Sequence, residues 1–250
     1  MKLTIPPNRF SIDGIPTEVD QRVFNGEDSV LPKIIFINPD TGECSFERSA
    51  MIRMFTFSGT ALLTPSAFNS NLSHLNVDTL DRPRLHGDLL ILNLQKGVAY
   101  TREEIKNLLE ECKACKSLVG KIVLLRTQLM ASILNITDNT GTPDYNRLSK
   151  TQKDRPGLTA NGAVELSSRS PSAIMVDNIS FELQDDDTGF SATQRLAVPD
   201  GDGFVPLVYH VGNTQGEDFV DKCNGKRAHI ELGNPPEGLS GYPAGVYIDE

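Results

Sequence analysis

Three short apolar runs constrain this chain more than anything else in it: LLILNL at 89–94, KIVLLRT at 121–127 and AIMV at Ala173–Val176. Each has the length of a strand buried on both faces and is too short for a core helix. Helical patterning separates them. Thr101, followed three residues later by Glu104, is a capping box, and Tyr100 with Ile105 can close a hydrophobic staple over it. Ile105, Leu108, Leu109 and Cys112 then recur on one face of the helix so begun. A second short helix is expected near 159–168, ahead of the third run. This alternation is the α/β (α+β) pattern of a single domain.

The flanks read differently. Residues 1–30, broken by Pro6, Pro7, Gly14, Pro16 and Gly26, look like a loop-rich arm, leaving 31–250 as the domain. LPKIIFINPDTGECSF at 31–46 reads as two strands around a Pro-Asp-Thr-Gly turn. The polar stretch 136–157 is expected as a surface loop, and 184–203 as an acidic, turn-rich segment. Residues 205–211 and Arg227–Leu232 look like strands, before a Pro/Gly-rich ending at 233–243.

Charge narrows the partners. With 24 basic against 33 acidic residues the net charge is −9, which argues against nucleic acid or an anionic membrane surface. No apolar run approaches the roughly 18 residues of a membrane span, and the first residues lack the apolar core of a signal peptide. A soluble, cytoplasmic protein is expected. Cys112 and Cys115 form a lone CxxC on the Thr101 helix, with only isolated Cys44 and Cys223 elsewhere, so no zinc-binding quartet is evident. The histidines, at 74, 86, 210 and 229, show neither HxxxH nor HxH spacing. P-loop, GxGxxG, GxSxG and HExxH signatures are missing.

Residues 57–68, FSGTALLTPSAF, carry a more specific signal. Gly59, Thr60, Pro65 and Phe68 stand at the spacing of His-x-Gly-Thr-His-x-Asp-x-Pro-x-His-Phe, the mark of the putative cyclase family of kynurenine formamidase-like and isatin hydrolase-like enzymes. Further segments resemble that family in order and spacing. They are Gly87-Asp88 leading into the first apolar run, the Thr101 helix, the Arg126-Thr127 strand end, Pro156-Gly157-Leu158, Asp177-Asn178-Ile179-Ser180 and the closing stretch 232–246. The resemblance runs from about residue 34 to the end. It implies a swivelling β/β/α fold with a central β-barrel-like layer, flanking helices, and assembly as a dimer or tetramer.

The resemblance also implies a metal site that this chain does not repeat. In the family the first two histidines and the aspartate of the motif bind a divalent metal, commonly zinc, and the third histidine is a base; a later His and Glu complete the site. Here the four motif positions are Phe57, Ala61, Leu63 and Ala67, and the later Glu falls near Gly212. None of these side chains can ligate zinc or carry a proton. No metal and no other cofactor is expected.

Two readings of the region remain open. In one, Phe57, Ala61, Leu63 and Ala67, with Ser58 and Thr60 on a hydroxyl rim and Tyr209 nearby, line a pocket for a small apolar ligand or substrate. In the other they fill the former metal cavity as core. His210, beside Tyr209, is the candidate acid/base. The corresponding functions are a metal-independent cyclisation, isomerisation or related rearrangement, and a catalytically inactive ligand-binding or structural protein.

Overall fold

The computed structural model describes residues 1–3, 34–37, 44–47, 60–80, 82–112, 117–130, 155–178, 180–183, 191–198, 204–233 and 238–249. In chain order the elements begin with β1 (Ile34–Ile37), β2 (Cys44–Glu47), β3 (Ala61–Leu63), β4 (His86–Asn93), β5 (Ala99–Tyr100) and α1 (Arg102–Glu111). Next come β6 (Lys121–Arg126), β7 (Gly157–Leu158), α2 (Ala160–Ser167), β8 (Ala173–Val176) and α3 (Ser191–Ala197). The chain ends with β9 (Leu207–Tyr209), α4 (Phe219–Cys223), β10 (Arg227–Leu232) and β11 (Gly241–Ile248).

Seven strands close into a barrel in the order β10-β11-β3-β9-β8-β6-β4. Neighbours among β4, β6, β8 and β9 run parallel, while β3, β10 and β11 complete the ring by antiparallel pairing. β1 and β2 form the expected hairpin, and β5 pairs with β7.

The apolar runs are continuous because both faces of their strands are buried. Leu89, Ile91, Ile122, Leu124, Ala173 and Met175 point into the barrel, where residues from all seven strands meet. Leu90, Leu92, Val123, Leu125, Ile174 and Val176 point outward against Ile105 and Leu109 of α1, Leu166 of α2 and Leu196 of α3. The capping box forms at α1, with the Thr101 amide donating to Glu104 Oε2 at 3.1 Å. At α2 the Thr159 hydroxyl accepts from the Gly162 amide. Gly162 is required there, since a Cβ would lie 2.1 Å from the Tyr100 carbonyl oxygen.

Several expectations need correction. Part of the acidic segment 184–203 is α3, whose Ala192, Thr193, Leu196 and Ala197 are buried; a run of helix formers too short to be stable alone is fixed by packing. The Pro/Gly-rich ending gives way at Gly241 to an eight-residue barrel strand, with Pro243 facing Ala61. Residues 1–3 are docked rather than part of an arm: Lys2 bridges to Tyr247 and Leu3 is fully buried. The end of the polar stretch 136–157 is also packed, with Arg155 buried and donating to the carbonyls of Glu182 and Leu183. The rest of the arm and of that stretch, at 4–30 and 136–154, lies outside the described residues. Among the described residues no helix is long and apolar enough to cross a membrane.

Candidate functional site

The pairing of β3 with β9 brings together residues about 150 positions apart in the chain. Ala61 stands opposite Tyr209 and Leu63 opposite Leu207. Just before β3, Thr60 Oγ1 donates to the His210 carbonyl at 2.8 Å. Of the residues expected at the site, Thr60, Ala61, Leu63, Tyr209 and His210 therefore converge on one strand pair. Ala67 ends a 3-10 turn (Pro65–Ala67) after β3, and it packs half-buried with Phe68 on the same outer core as Tyr209. Phe57 and Ser58 lie outside the described residues.

Burial differs sharply across this set. Ala61 has 0% and Leu63 2% of its surface exposed, so both are core side chains at the strand itself. Thr60 and Thr64 are also buried, and their hydroxyls are committed to the carbonyls of His210 and Ser240. Only Ala67, Phe68 and Ser66 are partly open. His210 is buried with φ 57°, in the left-handed region that side chains other than glycine rarely adopt. Its carbonyl is thereby presented to Thr60, and its ring centroid lies 6.0 Å from that of Tyr209.

Tyr209 is the hub. Its ring meets Phe181 edge-on at 4.8 Å and Phe68 at 6.3 Å. Its hydroxyl lies 3.0 Å from Thr193 Oγ1 on α3. Thr193 donates to Glu182 twice, by its amide to Oε1 at 2.7 Å and by its hydroxyl to Oε2 at 2.9 Å. Ser180 donates to the same Oε2 at 2.7 Å. Because the single Thr193 hydroxyl proton goes to Glu182, the Tyr209 hydroxyl must donate to Thr193. The line therefore has a direction, from Tyr209 through Thr193 to a fully buried carboxylate. Burial, with the Glu182 charge adding to it, holds the Tyr209 phenol well above its ordinary range despite the Thr193 bond. Tyr209 is thus a neutral phenol whose oxygen lone pairs remain to accept.

Beside this line, Asp177 at the end of β8 organises the turn after β6. Its carboxylate accepts from the Thr127 and Gln128 amides and from the Thr127 and Thr214 hydroxyls. Burial pushes its pKa up, against the lowering effect of those bonds. Arg126 is buried too, donating to Asn93 Oδ1 and to the carbonyls of Thr214 and Gly216. These residues stand at the carboxyl ends of the parallel strands β4, β6 and β8.

Glu182 and Thr193 are not among the residues that sequence reasoning singles out. The available signal for the first is Ser180-x-Glu182 directly after Asp177, a hydroxyl and a carboxylate two residues apart. Thr193 has none, because its segment reads as turns. The expected position of the family's later Glu, Gly212, is a backbone contact whose amide donates to the Leu3 carbonyl.

The residues do not fit a metal at the motif. Ala61 and Ala67 offer methyl groups and Leu63 an isobutyl group, whereas zinc requires imidazole, carboxylate or thiolate. Among the described residues no group of three or more His, Cys, Asp or Glu is arranged to hold a metal ion.

Comparison with known proteins places the fold. The family model described as "Putative cyclase" matches residues 7–183. An isatin hydrolase bound to the product analogue thioisatinate is similar with a TM-score of 0.56 at 18% identity, over 87% of this chain and 80% of that one. Isatin hydrolase A from Labrenzia aggregata, bound to benzyl benzoate, gives 0.54 at 14% identity, over 93% and 100%. A protein described as a novel cyclase gives 0.59 at 17% identity, over 100% and 88%. No curated protein sequence matches the chain.

Proposed function

Since the chain belongs to the putative cyclase family, we propose that it is a metal-independent derivative acting on a small, largely apolar organic molecule. The reaction is a cyclisation, isomerisation or related rearrangement rather than metal-dependent hydrolysis. The observation that carries this reading is the directed line Tyr209–Thr193–Glu182, which starts on the strand pair that holds Ala61 and Leu63 and shares its outer core with half-buried Ala67 and Phe68. An aromatic floor and an oriented hydroxyl suit a planar ligand carrying a hydrogen-bond donor. Such a site would act by holding the ligand in a reactive conformation against an oriented hydroxyl.

Isatin is the natural probe, because two of the similar solved structures are isatin hydrolases. Isatin should raise the melting temperature of the protein, form no ring-opened product, and bind equally well after chelator treatment. Tyr209→Phe should remove the stabilisation. Chelator-sensitive ring opening, or binding that survives Tyr209→Phe unchanged, would count against the proposal.

A second reading, a catalytically inactive ligand-binding or structural protein, is favoured by one observation. Ala61 and Leu63 are buried as core rather than open to a ligand. Failure of isatin to stabilise the protein, together with a large loss of stability in both Ala61→Phe and Ala67→Phe, selects the structural form of this reading.

A further inference from the structure

A second cluster of chemically active side chains lies at the opposite end of the barrel, where the parallel strands begin. β10 and β4 pair antiparallel with His229 directly opposite His86, so the two rings share one face. Their Nδ1 atoms are 2.9 Å apart, and the rings meet edge-on with centroids 5.2 Å apart. His229 Nε2 lies 2.8 Å from Asp249 Oδ1. His86 and Asp249 are exposed and His229 is part-exposed, so solvent reaches the group. The neighbouring charges, Arg227 and Asp88, face each other across the same strand pair at 3.5 Å.

Asp249 decides the tautomer. A carboxylate accepts, so His229 donates from Nε2 and, as a neutral ring, keeps its lone pair on Nδ1. His86 fills that lone pair by donating from its own Nδ1. When His86 moves this proton to its Nε2 through solvent, both Nδ1 lone pairs face the space between the rings, with no net change in protons. A carboxylate on the far nitrogen of a ligating imidazole is the arrangement that orients metal-binding histidines and raises their basicity.

Ligand chemistry selects the metal. The 2.9 Å between the two Nδ1 atoms is a hydrogen-bond separation, and an ion with metal–nitrogen bonds of about 2.0–2.1 Å takes the place of the shared proton with a small outward shift of the rings. Imidazole donors suit copper(II) and nickel(II), and copper(II) heads the affinity order for them. We propose that His86 and His229 form a two-imidazole site for copper(II), with nickel(II) next, oriented by Asp249 and completed by water. The site is separate from the motif region, and the reading given above for that region does not depend on it.

The test uses the intact, chelator-treated protein titrated calorimetrically with nickel(II) chloride, and with copper(II) chloride followed by paramagnetic resonance. One ion per chain is expected, with an axial copper signal split by two nitrogens. His86→Ala and His229→Ala should each weaken binding more than about 10-fold, and Asp249→Asn about 10–100-fold. No binding by the unsubstituted protein overturns the proposal. So does binding that survives both histidine substitutions, which would place the ion on other donors. The copper spectrum of the unsubstituted protein is decisive without any variant: a signal lacking coupling to two nitrogens also overturns the proposal.

Discussion

At position 61 a methyl group sits with no exposure opposite Tyr209, while at 67 another sits half-open beside Phe68. The two alanines occupy equivalent kinds of motif position, yet their surroundings ask for opposite responses. Ala61→Phe forces a ring into packed strand and should cost about 1–3 kcal/mol in a denaturant titration. Ala67→Phe should cost less than about 1 kcal/mol, as changes at incompletely packed sites do, and should block a ligand resting on Phe68. Equal losses would mean that the whole motif region is filled core. The residue scale also separates two of the hydroxyls from any ligand. Thr60 and Thr64 spend their hydroxyls tying β3 to its neighbours, so they serve the backbone before any ligand.

Among the elements, α1 depends most visibly on local chemistry. Its first turn is closed by Thr101 and Glu104, and it buries Ile105 and Leu109 against the barrel. Thr101→Ala should lower stability by about 1 kcal/mol. Adding Glu104→Ala should cost less than the sum of the two single changes, because each residue satisfies a donor within the same turn. Strict additivity in a double-mutant cycle would show that the box is not formed. α3 is the contrasting case. SATQRLA is rich in helix formers but too short to hold a helix alone, and it is fixed because Ala192, Leu196 and Ala197 are buried in the outer core beside α2. Its placement matters more than its propensity, since it delivers Thr193 to Tyr209 and Glu182.

For the molecule as a whole, α1 and α2 are joined by a buried carboxylate with consequences for acid stability. Glu165 on α2 bonds to Arg102 of α1 and to Arg169. Burial alone would raise its pKa, but the bonds to Arg169 and Arg102 outweigh burial and hold the carboxyl below its ordinary range. A depressed acid contributes stability above its unfolded pKa, about 4.3 for Glu, and loses it as the pH falls through the folded value. Glu165→Gln should therefore melt below the unsubstituted protein at pH 7, with the gap closing as the pH falls through the carboxylate range. A gap independent of pH would mean that Glu165 acts by shape. Asp177 works in the opposite sense, since its raised pKa favours the protonated native state, but it cancels between the two proteins compared.

Features that near neighbours decide were legible along the chain. The capping box, the Thr159 cap and the doubly buried runs of β4, β6 and β8 rest on contacts within a turn or on one unbroken apolar stretch. The lack of metal donors at Ala61, Leu63 and Ala67 is legible in the same way, as a matter of side-chain chemistry. Everything else waited on the folded arrangement. Barrel closure joins β10 to β4, and only that register sets His229 against His86, 143 residues away. Likewise only the docking of α3 onto the β3–β9 pair turns a tyrosine, a threonine and a glutamate from three segments into one hydrogen-bonded line. Pairing at such range depends on which strands become neighbours. Spacing along the chain carries no record of that, because the choice is made by the burial of all seven strands together.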